Sequence, residues 1–307
     1  MTDQKSTPFQ TSGPGGLKAD TVSAHPVMPW WMPSTPEATT YYYKNIDLIL
    51  TAFATDRKRA ASLVPEELDL IAIPGLEGQS AANLIFAKYR GNDQTGPYME
   101  TIVTIPVLSN GIPFHYVAAI YVDSDSALTA GREFGGYPKK LAAITMYNYG
   151  DLFLNRICRP PMQAKTADPQ FYDLASSAVT RGGQLFTVPL PADKIHQLPE
   201  PYSMLLPMPQ ATGEPQSYIL PTIGLRTIPG VGAEARQPQV QQLIGTPWVI
   251  TEAVVWEGLT PSLDFVASDD DPIARTLPVN LVLGSFILRG NMHTNPAEWL
   301  LLHDYKA

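Results

Sequence analysis

Lys139 and Lys140 stand side by side in the segment Gly131-Arg132-Glu133-Phe134-Gly135-Gly136-Tyr137-Pro138-Lys139-Lys140-Leu141. Two solvated lysines closing a loop is the commonplace reading of such a pair. Here the pair follows two glycines and a proline, residues that fix a backbone path and make poor helices. It also lies between the apolar stretches 112–122 and 141–144. An unperturbed lysine, with a pKa of about 10.4, is protonated at pH 7 and does not attack carbonyls. Burial among apolar side chains and a neighbouring cation both favour the neutral amine, which forms a Schiff base with a ketone. In an extended segment successive side chains point to opposite faces. The two ammonium groups are therefore expected to lie apart, with desolvation of Lys139 outweighing repulsion from Lys140.

Other chemistries find little support. His25, His115, His196, His293 and His303 are scattered without ligand spacing, so no metal site is expected. His115, inside an apolar run, reads as a hydrogen-bonded core residue. Cys158 is the single cysteine, so no intrachain disulfide can form, which fits a reducing compartment. It follows a strand-like run and is expected to be buried and unreactive. Asp269-Asp270-Asp271 reads as a solvated turn, lacking the regular spacing of a calcium loop. Residues 13–16, though glycine-rich, lack the context of a phosphate loop. Beside the lysine pair, Tyr137 and Arg132 are the substrate-binding candidates. The structural alternatives are simple packing for Tyr137 and an ion pair with Glu133 for Arg132.

The elements that must hold these residues are mostly strands. The chain has 307 residues, 44% hydrophobic and 16% charged, enough for a substantial core. A net charge of −8 argues against a nucleic-acid partner. Residues 1–16 lack an apolar signal core, and no apolar run approaches a membrane span. A cytoplasmic protein with no membrane partner is the expectation. Residues 1–40, rich in Pro, Ser, Thr and Gly, read as an arm whose cluster Met28-Pro29-Trp30-Trp31-Met32-Pro33 anchors its end over the core or a subunit contact.

From residue 41 a single domain is expected to run to 307, with an insertion around 160–215. Residues 56–63 predict a short helix with Asp56 as N-cap and Pro65 as its stop. Strands are predicted over 82–89, 98–108 and 114–122, the last two joined by the hairpin signal Ser109-Asn110-Gly111. A helix is predicted over 126–132, a strand pair over 142–149 and 152–157, and a helix over 171–179. Further strands follow over 217–225, 248–256, 279–292 and 299–305. Thirty prolines, spread along the chain, fit short strands joined by many turns. The reading is a mainly β, or α+β, antiparallel domain with a few short helices, closed as a barrel.

Gly131-Arg132-Glu133 followed by Tyr137-Pro138-Lys139-Lys140-Leu141 resembles the signature of the acetoacetate decarboxylase family. Tyr98-Met99-Glu100 leading into Ile105-Pro106-Val107 is similar to the family strand that carries an active-site glutamate. Weaker likenesses include Leu63-Val64-Pro65-Glu66, Ile157-Cys158-Arg159-Pro160, Trp256-Glu257-Gly258, Leu277-Pro278-Val279 and Ala297-Glu298-Trp299. Together they span roughly residues 41 to 305. The resemblance implies a closed, cone-like antiparallel β-barrel with an apolar cavity, in a homo-oligomer without a cofactor. It implies Lys139 as the Schiff-base nucleophile, Lys140 as the residue that lowers its pKa, and Glu100 as a catalytic carboxylate.

The implied activity is decarboxylation of a β-keto acid, in the setting of secondary metabolism. Two alternatives stand beside it. One is a pyruvate aldolase-dehydratase using the same lysine, and the other a non-catalytic barrel that binds a small molecule. There are departures from the family pattern. Members acting on acetoacetate carry an arginine near the start of the first strand and a second glutamate in the strand before that of Glu100. The corresponding stretches here read Tyr43-Lys44-Asn45-Ile46-Asp47 and Asn83-Leu84-Ile85-Phe86. Imine chemistry survives these losses; acetoacetate becomes only one of several possible substrates.

Overall fold

A computed structural model describes residues 40–92, 95–160, 171–189, 208–209, 218–230 and 237–306. The aromatic cluster at 28–33, the arm that contains it, His25, His196 and most of the insertion lie outside the described residues.

The long strands are β1 (Tyr41–Asp56), β3 (Gln79–Tyr89), β5 (Tyr98–Ser109), β6 (Ile112–Val122), β8 (Ala143–Tyr149), β9 (Leu152–Arg159), β10 (Tyr172–Val188), β12 (Tyr218–Pro229), β13 (Pro238–Phe265) and β14 (Leu281–Thr294). Short ones are β2 (Asp69–Leu70), β4 (Gly91–Asn92), β7 (Lys139–Leu141), β11 (Met208–Pro209) and β15 (Leu300–Asp304). Helices α1 (Arg57–Ala61), α2 (Asp125–Glu133) and α3 (Ile273–Thr276) are brief. Asp56 caps α1 by accepting from the Arg59 amide at 2.9 Å, as its sequence predicts. Ser124 caps α2 through the Ala127 amide.

Seven strands close into a ring in the order β12-β6-β5-β3-β1-β14-β13, with β13 returning to β12. An odd number of strands cannot alternate direction all the way round, so one neighbouring pair must run parallel. That pair is β6 with β12, joined at His115 opposite Thr222 and Tyr116 opposite Ile223. The expected closure is present as a ring of seven strands, and the antiparallel expectation is corrected within the ring at this one seam.

Both faces of β1, β3 and β5 are buried over most of their length. Leu84 and Ile85 are consecutive and enter different cores, as side-chain alternation requires. The inner core holds Tyr43, Leu48, Ile85, Tyr89, Val117 and Ile120. The outer core holds Ile49, Phe53, Leu84 and Phe86, with Phe153, Ile157 and Leu174 of β9 and β10 among them. Strands β10, β9 and β8 continue the sheet beyond β13. This double burial explains why β1 reads as a continuous apolar run rather than an alternating one.

The hairpin at Asn110-Gly111 forms with both residues at positive φ, 51° and 79°, the combination that a tight two-residue turn demands. The helix expected over 171–179 is instead the start of β10. Its two edges are taken by β9 and β13, and these ladders override a local alanine-serine composition that is neutral between helix and strand. Among the described residues no helix is long and apolar enough to cross a membrane.

Candidate active site

The lysine segment is held by glycine contacts at several points. Gly136 sits at φ +67°, and a Cβ there would fall 2.4 Å from the Arg226 backbone nitrogen. From the other side, a Cβ on Gly224 would meet the Gly135 carbonyl oxygen at 2.2 Å. The Gly135-Gly136 turn is thus seated directly on the backbone of β12. The Tyr137 amide donates to the Gly131 carbonyl at 3.0 Å, and β7 then runs parallel to β6 with Lys139 opposite Ile120. A Cβ on Gly131 would lie 2.3 Å from Lys139 Cε, so this glycine leaves the channel through which the lysine chain passes α2.

Lys139 and Lys140 diverge as their extended backbone dictates. The Lys139 ammonium donates to Glu100 Oε2 at 2.9 Å, and neither side chain is more than 7% exposed. Glu100 reaches this point from β5, where it stands opposite Val122 of β6. Its other oxygen accepts from the Tyr89 hydroxyl at 2.7 Å. The Tyr98 ring lies 5.6 Å from Lys139 Nζ, close enough for a cation–π contact. Burial, and then the Glu100 carboxylate, push the Tyr89 and Tyr98 phenols well above their usual range, so both stay protonated.

Around this pair lies a cavity of about 90 Å³, several times what a single water requires. Its walls are mainly aromatic and aliphatic, from Tyr43, Leu48, Ile85, Ile120, Trp248 and Met292. Among the described residues Glu100 and Lys139 are the only charged groups that line it. Tyr137 also lines it, as its position beside the pair suggested. Arg132 does not: its guanidinium donates to the Lys139 carbonyl at 3.2 Å, where an ion pair with Glu133 had been expected. Lys44 is exposed on β1, and Asn83 is buried with its amide on Thr104 at 3.1 Å.

Lys140 leaves the cavity and meets Asp271, which also accepts from Arg159 Nε and the Tyr172 hydroxyl, each at 3.0 Å. Arg159 in turn donates to the Leu141 carbonyl. Burial raises the Asp271 carboxyl, but the hydrogen bonds from Lys140 and Arg159 outweigh it and hold the group below its usual range. The solvated turn expected at 269–271 is therefore corrected at Asp271, while Asp269 is exposed as expected. Asp271 is 2% exposed and ties the back of β7 to β9 and β10. Nothing local marks it, because the cations it neutralises are more than a hundred residues away.

His115 is 5% exposed, with Nδ1 3.4 Å from the Asn83 amide nitrogen, and it lines the cavity as well as the core. Burial pushes its imidazole down to about 4. Cys158, expected to be buried, is half-buried; its thiol donates to Asp173 at 3.2 Å, and burial with that contact raises its pKa. Among the described residues no three His, Cys, Asp or Glu side chains group as metal ligands.

A primary amine against a carboxylate in an apolar, ketone-sized cavity suits imine chemistry. The family model for acetoacetate decarboxylase matches residues 26–167, the stretch that carries Glu100, Tyr137, Lys139 and Lys140. Over this stretch the chain is similar to the acetoacetate decarboxylase family. Within that family, the acetoacetate decarboxylase of Ralstonia nicotianae is 30% identical over 139 residues, 45% of this chain and 53% of its relative. The chain spans about half the length of the curated relatives it matches.

Likeness in fold extends further. The crystal structure of acetoacetate decarboxylase from Legionella pneumophila has a TM-score of 0.65 at 21% identity, covering 92% of this chain and 94% of that one. The enduracididine biosynthesis enzyme MppR, complexed with pyruvate, has a TM-score of 0.59 at 15% identity, covering 89% and 93%. The acetoacetate decarboxylase-like fold thus includes β12, β13 and β14, which lie beyond the matched stretch.

Proposed function

We propose that the chain is a carbon–carbon lyase that decarboxylates a β-keto acid through a Schiff base on Lys139. The observation that carries this reading is the 2.9 Å contact between Lys139 and Glu100 inside an otherwise uncharged aromatic cavity. A proton passed across that contact leaves a nucleophilic amine beside a carboxylic acid. The amine adds to the ketone, and loss of water gives an iminium. Electrons of the bond to the carboxylate then flow into the iminium, releasing CO2 and an enamine. In this reading Glu100 returns a proton to the enamine carbon. Hydrolysis frees the shortened ketone and restores Lys139. Lys140 acts from the other face of β7, where Asp271 and Arg159 fix the strand that aims its neighbour.

A second reading starts from the same kind of iminium, formed with pyruvate: loss of a methyl proton gives an enamine that keeps the carboxylate and attacks an aldehyde, followed by dehydration. It is supported by the likeness in fold to MppR, whose structure holds pyruvate. Released CO2 identifies the first course; a longer unsaturated keto acid identifies the second. Borohydride added with a keto acid is expected to fix the adduct on Lys139, located by peptide mass spectrometry. Full turnover by Lys139→Ala would refute both, whereas the absence of both turnover and adduct with any keto acid would leave a binding barrel.

A further inference from the structure

The cavity has a second polar focus that the chemistry at Lys139 does not use. The Tyr137 hydroxyl lies 2.8 Å from Thr222 Oγ1, and the Trp248 indole N–H donates to Thr222 at 3.1 Å. All three residues line the cavity. His115 faces Thr222 across the parallel β6–β12 seam. Its Nδ1 is engaged by Asn83 and Thr104, and no hydrogen bond among the described residues engages its Nε2. None of these groups carries charge at neutral pH: burial keeps the Tyr137 phenol protonated and the imidazole bare.

The two foci are joined by an apolar span. Ring contacts run from Trp248 to Tyr43 at 5.3 Å, from Tyr43 to Tyr89 at 5.2 Å, and from Tyr89 to Tyr98, beneath Lys139, at 4.7 Å. A ligand reaching from Lys139 to Thr222 therefore lies along aromatic faces and ends among neutral hydrogen-bonding groups. A carboxylate at that end would be buried without a cation, which is far costlier than neutral hydrogen bonds repay. Tyr137, Thr222 and Trp248 satisfy one another, so a bare methyl there would leave His115 Nε2 unpaired, whereas a hydroxyl could donate to it.

We infer that Tyr137, Thr222, Trp248 and His115 form a specificity site for an uncharged oxygen, a hydroxyl or carbonyl, carried at the far end of a ketone whose near end meets Lys139. The inference rests on the proposed role of Lys139 for its orientation but not for its selectivity, which binding alone measures.

The test uses three ketones of equal length that end in a methyl, a hydroxyl or a carboxylate, none able to lose CO2. Titration calorimetry with the full chain is expected to rank hydroxyl above methyl by about tenfold, with carboxylate weakest. In the Thr222→Val/Trp248→Phe protein the hydroxyl preference is expected to vanish. Should that protein fail to fold, Tyr137→Phe, which keeps the ring, is expected to reduce the same preference. A carboxylate-ended ketone that binds as tightly as the hydroxyl-ended one overturns the inference. So does a hydroxyl-ended ketone that binds no better than its methyl analogue, or not at all. If the ranking holds but borohydride traps no adduct, the selectivity stands and the role of Lys139 falls.

Discussion

Lys139 Nζ and Glu100 Oε2 stand 2.9 Å apart on strands that do not touch each other, β7 and β5, with β6 between them. The contact is diagonal across β6, from a residue opposite Val122 to one opposite Ile120. Each partner is buried, so each depends on the other for its compensation.

Removing one side of this pair is expected to cost more than removing both. Lys139→Met leaves Glu100 buried with only the Tyr89 hydroxyl, and a loss of about 3 kcal/mol is expected. Adding Glu100→Gln should recover much of it. Urea unfolding of both single variants and the double gives the coupling directly. Additive losses would contradict the pairing.

Gly131 and Gly136 are expected to fail differently. Gly131→Ala presses on the flexible end of Lys139, 2.3 Å from the new methyl, so the lysine shifts and the fold survives. Borohydride trapping should slow at least about tenfold with Tm nearly unchanged. Gly136→Ala meets backbone at Arg226 and must also hold φ +67°, so a loss of more than about 2 kcal/mol is expected in denaturant unfolding.

His115 is expected to make stability depend on mildly acidic pH. Its imidazole titrates near 6.5 when unfolded and about 4 in the fold, so the unfolded chain binds the extra proton between those values. Stability from this group is complete above pH 6.5 and falls by at most about 3 kcal/mol as pH drops to 4. His115→Gln should remove that slope from urea midpoints measured across the window.

Asp271 acts in a lower window. Its carboxyl is held below 3.8 by Lys140 and Arg159 against the opposing effect of burial, so its contribution is present above that pH and lost as pH falls through it. Asp271→Asn strands the buried Arg159, while Lys140 still reaches solvent, and is expected to cost about 3 kcal/mol at pH 7. The gap between this variant and the parent should close on acidification. A gap independent of pH would point to packing alone.

Much of this could be read from the chain. The lysine segment declared itself because glycines and a proline before two cations are poor helix and poor loop at once. Structure adds the cause: the glycines face Arg226 and Gly224 on β12. The early strands were legible as far as turn residues bounded them. β13 was legible only over 248–256, since Gly245, Pro247 and Pro261 interrupt its pattern while β12, β14 and β10 supply its ladders. Asp271 and the Thr222–Trp248 focus were invisible because their partners lie far off in sequence. A run of aspartates looks solvated until the fold brings Arg159 to it.

The glycine seat on β12 bears on how the chemistry is inherited. The stretch that matches the family model ends at residue 167, and it contains the amine and the carboxylate. The surface that cradles their turn comes later, at Gly224 and Arg226. Sequence drift in that later half is free to reshape what the cavity admits, provided this one backbone approach is kept. The cavity wall is shared between the two stretches, with Tyr137 and His115 from the first and Thr222 and Trp248 from the second, and the glycine at 224 is where they meet.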